Sequence, residues 1–188
     1  ISAAEHTLAL LLSLSRNISV GHHSLLSGNW DRHKFVGSEV RNKILGIVGL
    51  GKIGREVMQR AQGFGMKIIG YDPFIKEDMF RSDEIKLLEL DDLVEKSDFI
   101  TVHIPLTTNT ENLFDYKMLS KMKKEARIIN VARGGIINEE DLAKALNEEI
   151  IAGAAIDVFR QEPISKNNPL LKSPNLILTP HLGGSTIE

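Results

Sequence analysis

The sequence predicts an α/β fold: a doubly wound parallel sheet of Rossmann type. Three observations point there. Short, nearly continuous apolar runs alternate with amphipathic segments from "KILGIVGL" to "NLILTP", and strands buried on both faces belong to parallel sheets covered by helices. The glycines of "GLGKIG" fall where the first such strand ends and a helix begins. Polar residues gather just past later strands, in "INVARGG", "AIDVFRQEP" and "LTPHLGGS", where ligands bind in open α/β sheets.

The elements follow in order. "TLALLLSL" (Thr7 to Leu14) predicts a helix that is apolar almost all round. Such a helix is buried on more than one side, either in the core or at a domain or subunit interface. It is too short to span a bilayer. "KILGIVGL" is a strand and "KIGREVMQRAQGFG" a helix; "MKIIGYD" is a strand and "LDDLVEKSD" a short helix started at the Leu90–Asp91 step. "FITVHIPL" is a strand, "DYKMLSKMKKE" a helix and "ARIINVA" a strand. "NEEDLAKALNEE" opens on Asn138 with acids in its first turn, which suits the positive end of a helix dipole. "IAGAAIDVF" and "NLILTP" are the last strands, separated by a loop rich in Pro and Asn.

Composition excludes several classes. The 188 residues suffice for one domain with its own core. Apolar residues at 42% and charged residues at 26% are ordinary for a globular protein. A net charge of −2 offers no basic field to nucleic acid or anionic lipid, so neither is an expected partner. There is no cysteine, which removes disulfides and thiolate metal sites and fits a cytoplasmic location. The adjacent His22 and His23 do not share a helix face, so no metal is expected. The basic "KMKKEAR" is expected at a helix C-terminus, where the dipole favours cations.

"GLGKIG" sets Gly49, Gly51 and Gly54 in the spacing G-x-G-x-x-G. Gly49 permits the tight turn, Gly51 admits a pyrophosphate to the backbone, and Gly54 lets helix and strand pack closely. The helix N-terminus adds free N–H groups and positive dipole. "YDP" places Asp72 at the end of the next strand, where an acid accepts from ribose hydroxyls and repels a 2′-phosphate. The expected cofactor is therefore NAD. Farther on, Arg133 can clamp a carboxylate, and His181 can move a proton near neutral pH. A nearby carboxylate would hold the imidazole's orientation and favour its charged form; Asp157 and Glu162 both follow the same strand. This set is what hydride exchange with a 2-hydroxy acid requires.

Across nearly its whole length, through "GLGKIG", "YDP", "VHIPLT", "NVARGG", "AIDVF", "QEP" and "PHLGGST", the chain resembles the NAD-binding domain of the D-isomer-specific 2-hydroxyacid dehydrogenases. The resemblance implies roles. Arg133 binds the substrate carboxylate, His181 is the general acid and base, and Glu162 is its partner. Lys52 and Ile53 lie over the pyrophosphate, and Ile104 and Pro105 along the adenosine side. Val131, Ala132 and Arg133 line the nicotinamide half, Asp157 takes the carboxamide, and Gly183 and Gly184 flank the site after His181. Ile104 stands where members acting on 3-phosphoglycerate carry a hydroxyl residue, so no side-chain polar contact is expected from it.

"SGNWDRHKFVGSEVRNKILGIVGLGKIG" and "PHLGGST" are most similar to those members. The substrate expected from the resemblance is thus 3-phosphoglycerate, in serine biosynthesis. Glyoxylate, hydroxypyruvate or D-lactate are alternatives, as is a dinucleotide-sensing corepressor that keeps the same triad. Residues 1–188 are then an NAD-binding domain cut from a longer two-domain protein, with a new helix starting at Glu188. The first helix would be an interdomain and dimer-forming segment, and a homodimer or higher homo-oligomer is expected.

Overall fold

The computed structural model describes residues 1–75 and 85–187; the helix expected from Glu188 lies outside them. Seven parallel strands form one sheet: β1 (Ile44–Val48), β2 (Lys67–Tyr71), β3 (Lys86–Leu87), β4 (Phe99–Val102), β5 (Arg127–Asn130), β6 (Gly153–Ile156) and β7 (Leu176–Leu178). Their order is β3-β2-β1-β4-β5-β6-β7, so the chain reverses direction across the sheet between β1 and β4. All the carboxyl ends therefore share one edge, as expected, and the crevice over β1 and β4 is the topological switch point.

Helices α1 (Ser2–Ser15) and α3 (Lys52–Gly63) cover one face of the sheet. The other carries α4 (Leu90–Lys96), α5 (Tyr116–Leu119) and α6 (Glu139–Asn147). Strand residues alternate between the two cores: Ile100 and Val102 pack with Leu93 and Leu142, whereas Phe99 packs with Leu11 and Val57. Asn138 caps α6 by accepting from the Asp141 N–H at 3.0 Å, as its sequence indicated.

The first helix packs on the core, one of the two places its pattern allows: Ala4, Leu8, Leu10, Leu11 and Leu14 are buried against α3 and β5–β7. The helix α2 (Ile18–Leu26), which no sequence pattern marked, carries a run of exposed apolar side chains. It buries none of its residues and exposes Ile18, Val20, Leu25 and Leu26. The helix expected over "DYKMLSKMKKE" is one turn, capped by Asp115. Beyond it Lys121 reaches Asp91 at 2.6 Å and Lys123 reaches Asp98 at 2.8 Å. Two cations of the basic cluster thus face carboxylates from elsewhere in the chain, and the cluster lies beyond the end of α5.

The short helix over "LDDLVEKSD" begins at Leu90 itself, with Glu89 as its cap residue. The strand expected over "FITVHIPL" ends at Val102, although the His103 N–H still reaches the Val48 carbonyl at 2.7 Å. Beyond that point the chain leaves the sheet toward Pro105, which has no N–H to donate. The two-residue β3 has no signal of its own; pairing with β2 makes it a strand.

Candidate active site

The glycine loop meets the requirements for a phosphate cradle. Gly49 adopts φ +98, and a Cβ there would sit 2.6 Å from the His103 carbonyl oxygen. A Cβ on Gly54 would lie 2.0 Å from the Gly49 carbonyl oxygen, so only glycine lets α3 start this close to β1. Above Gly51 there is nothing within 4 Å. No side chain caps α3, which leaves its first-turn N–H groups to an anion. Lys52 and Ile53 are exposed beside that opening.

Asp72 reaches this loop from the end of β2. Its Oδ2 accepts from the Leu50 N–H at 2.8 Å and its Oδ1 from the Phe74 N–H at 2.9 Å. Each oxygen keeps acceptor capacity for a ribose hydroxyl. A crevice of about 640 Å³ opens there, lined by Tyr71, Asp72, Ile75 and Leu87–Glu89. Ile104 lies against Gly49, its methyl 2.8 Å from a Cβ placed on that glycine, and Pro105 follows it, exposed.

The sequence reading missed His103, which sits at the switch point itself. Its Nε2 is sealed from solvent without a partner. Burial lowers its pKa to about 4, so the ring is neutral at physiological pH. The signal was available: a histidine at the end of an apolar strand beside the glycine turn.

At the end of β5, buried Asn130 shapes the next turn. Its Oδ1 accepts from the Ala132 N–H at 2.9 Å and its Nδ2 donates to the Arg133 carbonyl at 3.0 Å. Val131 and Ala132 are buried, while Arg133 is exposed and donates from Nη1 to the Ala132 carbonyl at 2.6 Å. A Cβ on Gly134 would overlap the Phe159 carbonyl at 1.9 Å, so this turn lies directly against the segment after β6.

His181 and Glu162 do meet. The His181 Nδ1 lies 2.7 Å from the Glu162 Oε2, and the Glu162 Oε1 accepts from the Phe159 N–H at 3.0 Å. The hydrogen bond from His181 holds the Glu162 carboxyl below its ordinary pKa. An ionised carboxylate only accepts, so Nδ1 carries hydrogen and Nε2 is left for a substrate. Among the described residues no hydrogen bond or ion pair joins Arg133 to His181 or Glu162; it shares the sheet's carboxyl edge with them, two strands from the end of β7. Beside the dyad is an apolar cavity of about 560 Å³, walled by Phe159, Pro163, Ile164, Leu171, Leu178 and Pro180.

Asp157 is fully buried, and its side chain holds the His181 turn. Oδ1 accepts from the Thr179 hydroxyl at 2.6 Å and the Leu182 N–H at 2.7 Å, and Oδ2 accepts from the Gly183 N–H at 2.8 Å. The Asp157 carbonyl also takes the His181 N–H at 2.8 Å. Gly183 is packed under Val131, whereas Gly184 is exposed with open space around it. His6, on α1, completes the cluster and was not singled out by sequence. Among the described residues no group of three or more His, Asp or Glu could hold a metal.

Sheet order, glycine cradle and strand-end acid together define a dinucleotide-binding domain. The chain belongs to the D-isomer specific 2-hydroxyacid dehydrogenases, as their NAD binding domain, whose family model matches residues 8–183. It is 50% identical over its whole length to a D-3-phosphoglycerate dehydrogenase of Synechocystis sp., covering 34% of that protein. To the D-3-phosphoglycerate dehydrogenase of Methanocaldococcus jannaschii it is 48% identical over its whole length, covering 36% of it. It thus spans about a third of the length of these curated relatives. An NAD-dependent formate dehydrogenase of Staphylococcus aureus, solved with NAD, superposes with a TM-score of 0.92 at 37% identity, over 98% of this chain and 56% of that one. Among the described residues no helix is long and apolar enough to cross a membrane.

Proposed function

We propose that the protein carrying this chain is an NAD-dependent dehydrogenase of D-2-hydroxy acids and that its substrate is 3-phosphoglycerate. The observation that carries the chemistry is the His181–Glu162 pair, set on the same sheet edge as the glycine cradle. Two relatives named D-3-phosphoglycerate dehydrogenase support the substrate. In this reading residues 1–188 are the cofactor domain of a two-domain protein that works as a homodimer or larger oligomer. The exposed apolar side chains of α2, with Trp30 and Val36 beyond it, are the self-association surface.

When bound, NAD supplies the hydride acceptor at its nicotinamide. Gly51 and the start of α3 hold the pyrophosphate, and Asp72 holds the ribose and disfavours NADP. Arg133 swings from the Ala132 carbonyl to clamp the substrate carboxylate, fixing C2 and its hydroxyl. In oxidation His181 Nε2 takes the hydroxyl proton as C2 gives up its hydride, leaving the 2-oxo acid and an imidazolium. Glu162 stabilises that imidazolium through Nδ1–H. In reduction the same proton returns to the oxygen.

The test is the intact protein with NAD and a panel of 2-hydroxy acids, followed by NADH absorbance. Turnover should be highest with 3-phosphoglycerate and should fall by about 10²–10⁴-fold in His181→Ala, the usual worth of general acid–base catalysis. A preference for glyoxylate, hydroxypyruvate or D-lactate as the exchanged acid would replace the substrate assignment. NAD binding with no turnover of any acid would make the protein a dinucleotide sensor.

A further inference from the structure

The His181 turn is anchored from an element remote in sequence. His6 lies on α1 with its side chain 20% exposed. Its Nε2 is 3.2 Å from Asp157 Oδ1 and 3.1 Å from Thr179 Oγ1. The Thr179 hydroxyl gives its own proton to Asp157 at 2.6 Å, so its oxygen is an acceptor and His6 Nε2 is the donor. Asp157 thereby receives four donors: the Thr179 hydroxyl, the Leu182 and Gly183 N–H groups, and His6. A buried carboxylate needs such a set.

Only the His6 donor comes from outside the segment that follows β7. The N-terminal turn of α1 touches that segment twice more. The Ser2 and Thr186 hydroxyls are 3.2 Å apart, and a Cβ on Gly183 would meet Ala3 at 3.8 Å. Meanwhile His181 itself adopts φ 56, a left-handed conformation that a non-glycine residue keeps only when its surroundings impose it.

We propose that His6 is a positioning residue for His181. By donating to Thr179 and Asp157 it locks α1 to the turn of residues 179–183, and that lock aims the His181 ring at Glu162 and the substrate. His6 touches neither substrate nor cofactor in this scheme. The catalytic consequence rests on the proposed dehydrogenase activity; the mechanical one does not.

The experiment compares the intact protein with His6→Leu and His6→Gln, the second of which returns an N–H near the Nε2 position. Two readouts are taken. Amide hydrogen exchange at Leu182 and Gly183 should quicken at least about tenfold in His6→Leu and return toward wild type in His6→Gln. Under the proposed reaction, kcat should fall about tenfold in His6→Leu, with KM and NAD affinity within about twofold, and should recover in His6→Gln. A merely structural role would lower thermal stability without this split or rescue. Wild-type exchange at both amides in a folded His6→Leu would overturn the proposal, as would a Gln variant no better than Leu. Should His6→Leu not fold, His6→Phe, which keeps the ring and removes the N–H, is read by the same criteria. Because exchange needs no turnover, it stands or falls apart from the dehydrogenase assignment.

Discussion

His103, with its Nε2 sealed from solvent, ties the site to pH. An unfolded histidine takes a proton below about 6.5, whereas burial postpones this in the folded chain to about 4. Between those values the unfolded state binds more protons, so this residue's contribution to folding stability falls as pH drops and levels off below about 4. Carboxylates titrate nearby, so the informative quantity is a difference. The Tm of His103→Leu relative to wild type should rise steadily from pH 7 to pH 4.5 in thermal melts. A difference that stays constant with pH would mean that His103 is charged or solvated in the folded state. Leucine also removes the unpartnered Nε2, which adds to the gain at every pH.

At the scale of the element, the glycine loop separates packing from binding. Gly54 faces backbone, with a Cβ 2.0 Å from the Gly49 oxygen; Gly54→Ala must push α3 off β1 and should cost about 1–3 kcal/mol, the usual price of overpacking, along with NAD affinity. Gly51 faces open space at φ −68, a conformation alanine adopts freely. Gly51→Ala should therefore leave stability unchanged or slightly higher and weaken NAD binding alone. Denaturant melts and calorimetry on the two variants separate the effects. Undiminished NAD affinity in Gly51→Ala would place the pyrophosphate elsewhere.

At the scale of the whole molecule, α2 leaves several apolar side chains uncovered. Leu25 and Leu26 are 56% and 73% exposed, and Leu25→Glu with Leu26→Glu should convert a dimer to monomer in sedimentation without changing the fold. An unaltered sedimentation coefficient would move the interface away from α2. These 188 residues also contain the cradle, Asp72 and the His181–Glu162 pair. They should fold and bind NAD, yet show no appreciable turnover, because a substrate held by Arg133 alone is not fixed in orientation. Appreciable dehydrogenase activity from residues 1–188 would show that the substrate site lies entirely within them.

By itself the sequence determined the alternation of strands and helices, the all-parallel sheet, the glycine cradle and Asp72; the pairing of His181 with Glu162 came from the family resemblance. These are local signals: apolar periodicity, glycine spacing and polar residues just past strand ends repeat with little regard to the rest of the chain. Tertiary structure decided what local pattern leaves open. An all-round apolar helix reads the same in a core or at an interface, and only packing on α3 and β5–β7 placed α1 inside. The lysines after Leu119 lie beyond the helix, and their partners Asp91 and Asp98 come from elsewhere in the chain. Asp157 became the anchor of the His181 turn, and His6 its fourth donor, because folding brings together residues 151 positions apart, and the partner of a buried carboxylate is set by distance in space, which no spacing along the chain records.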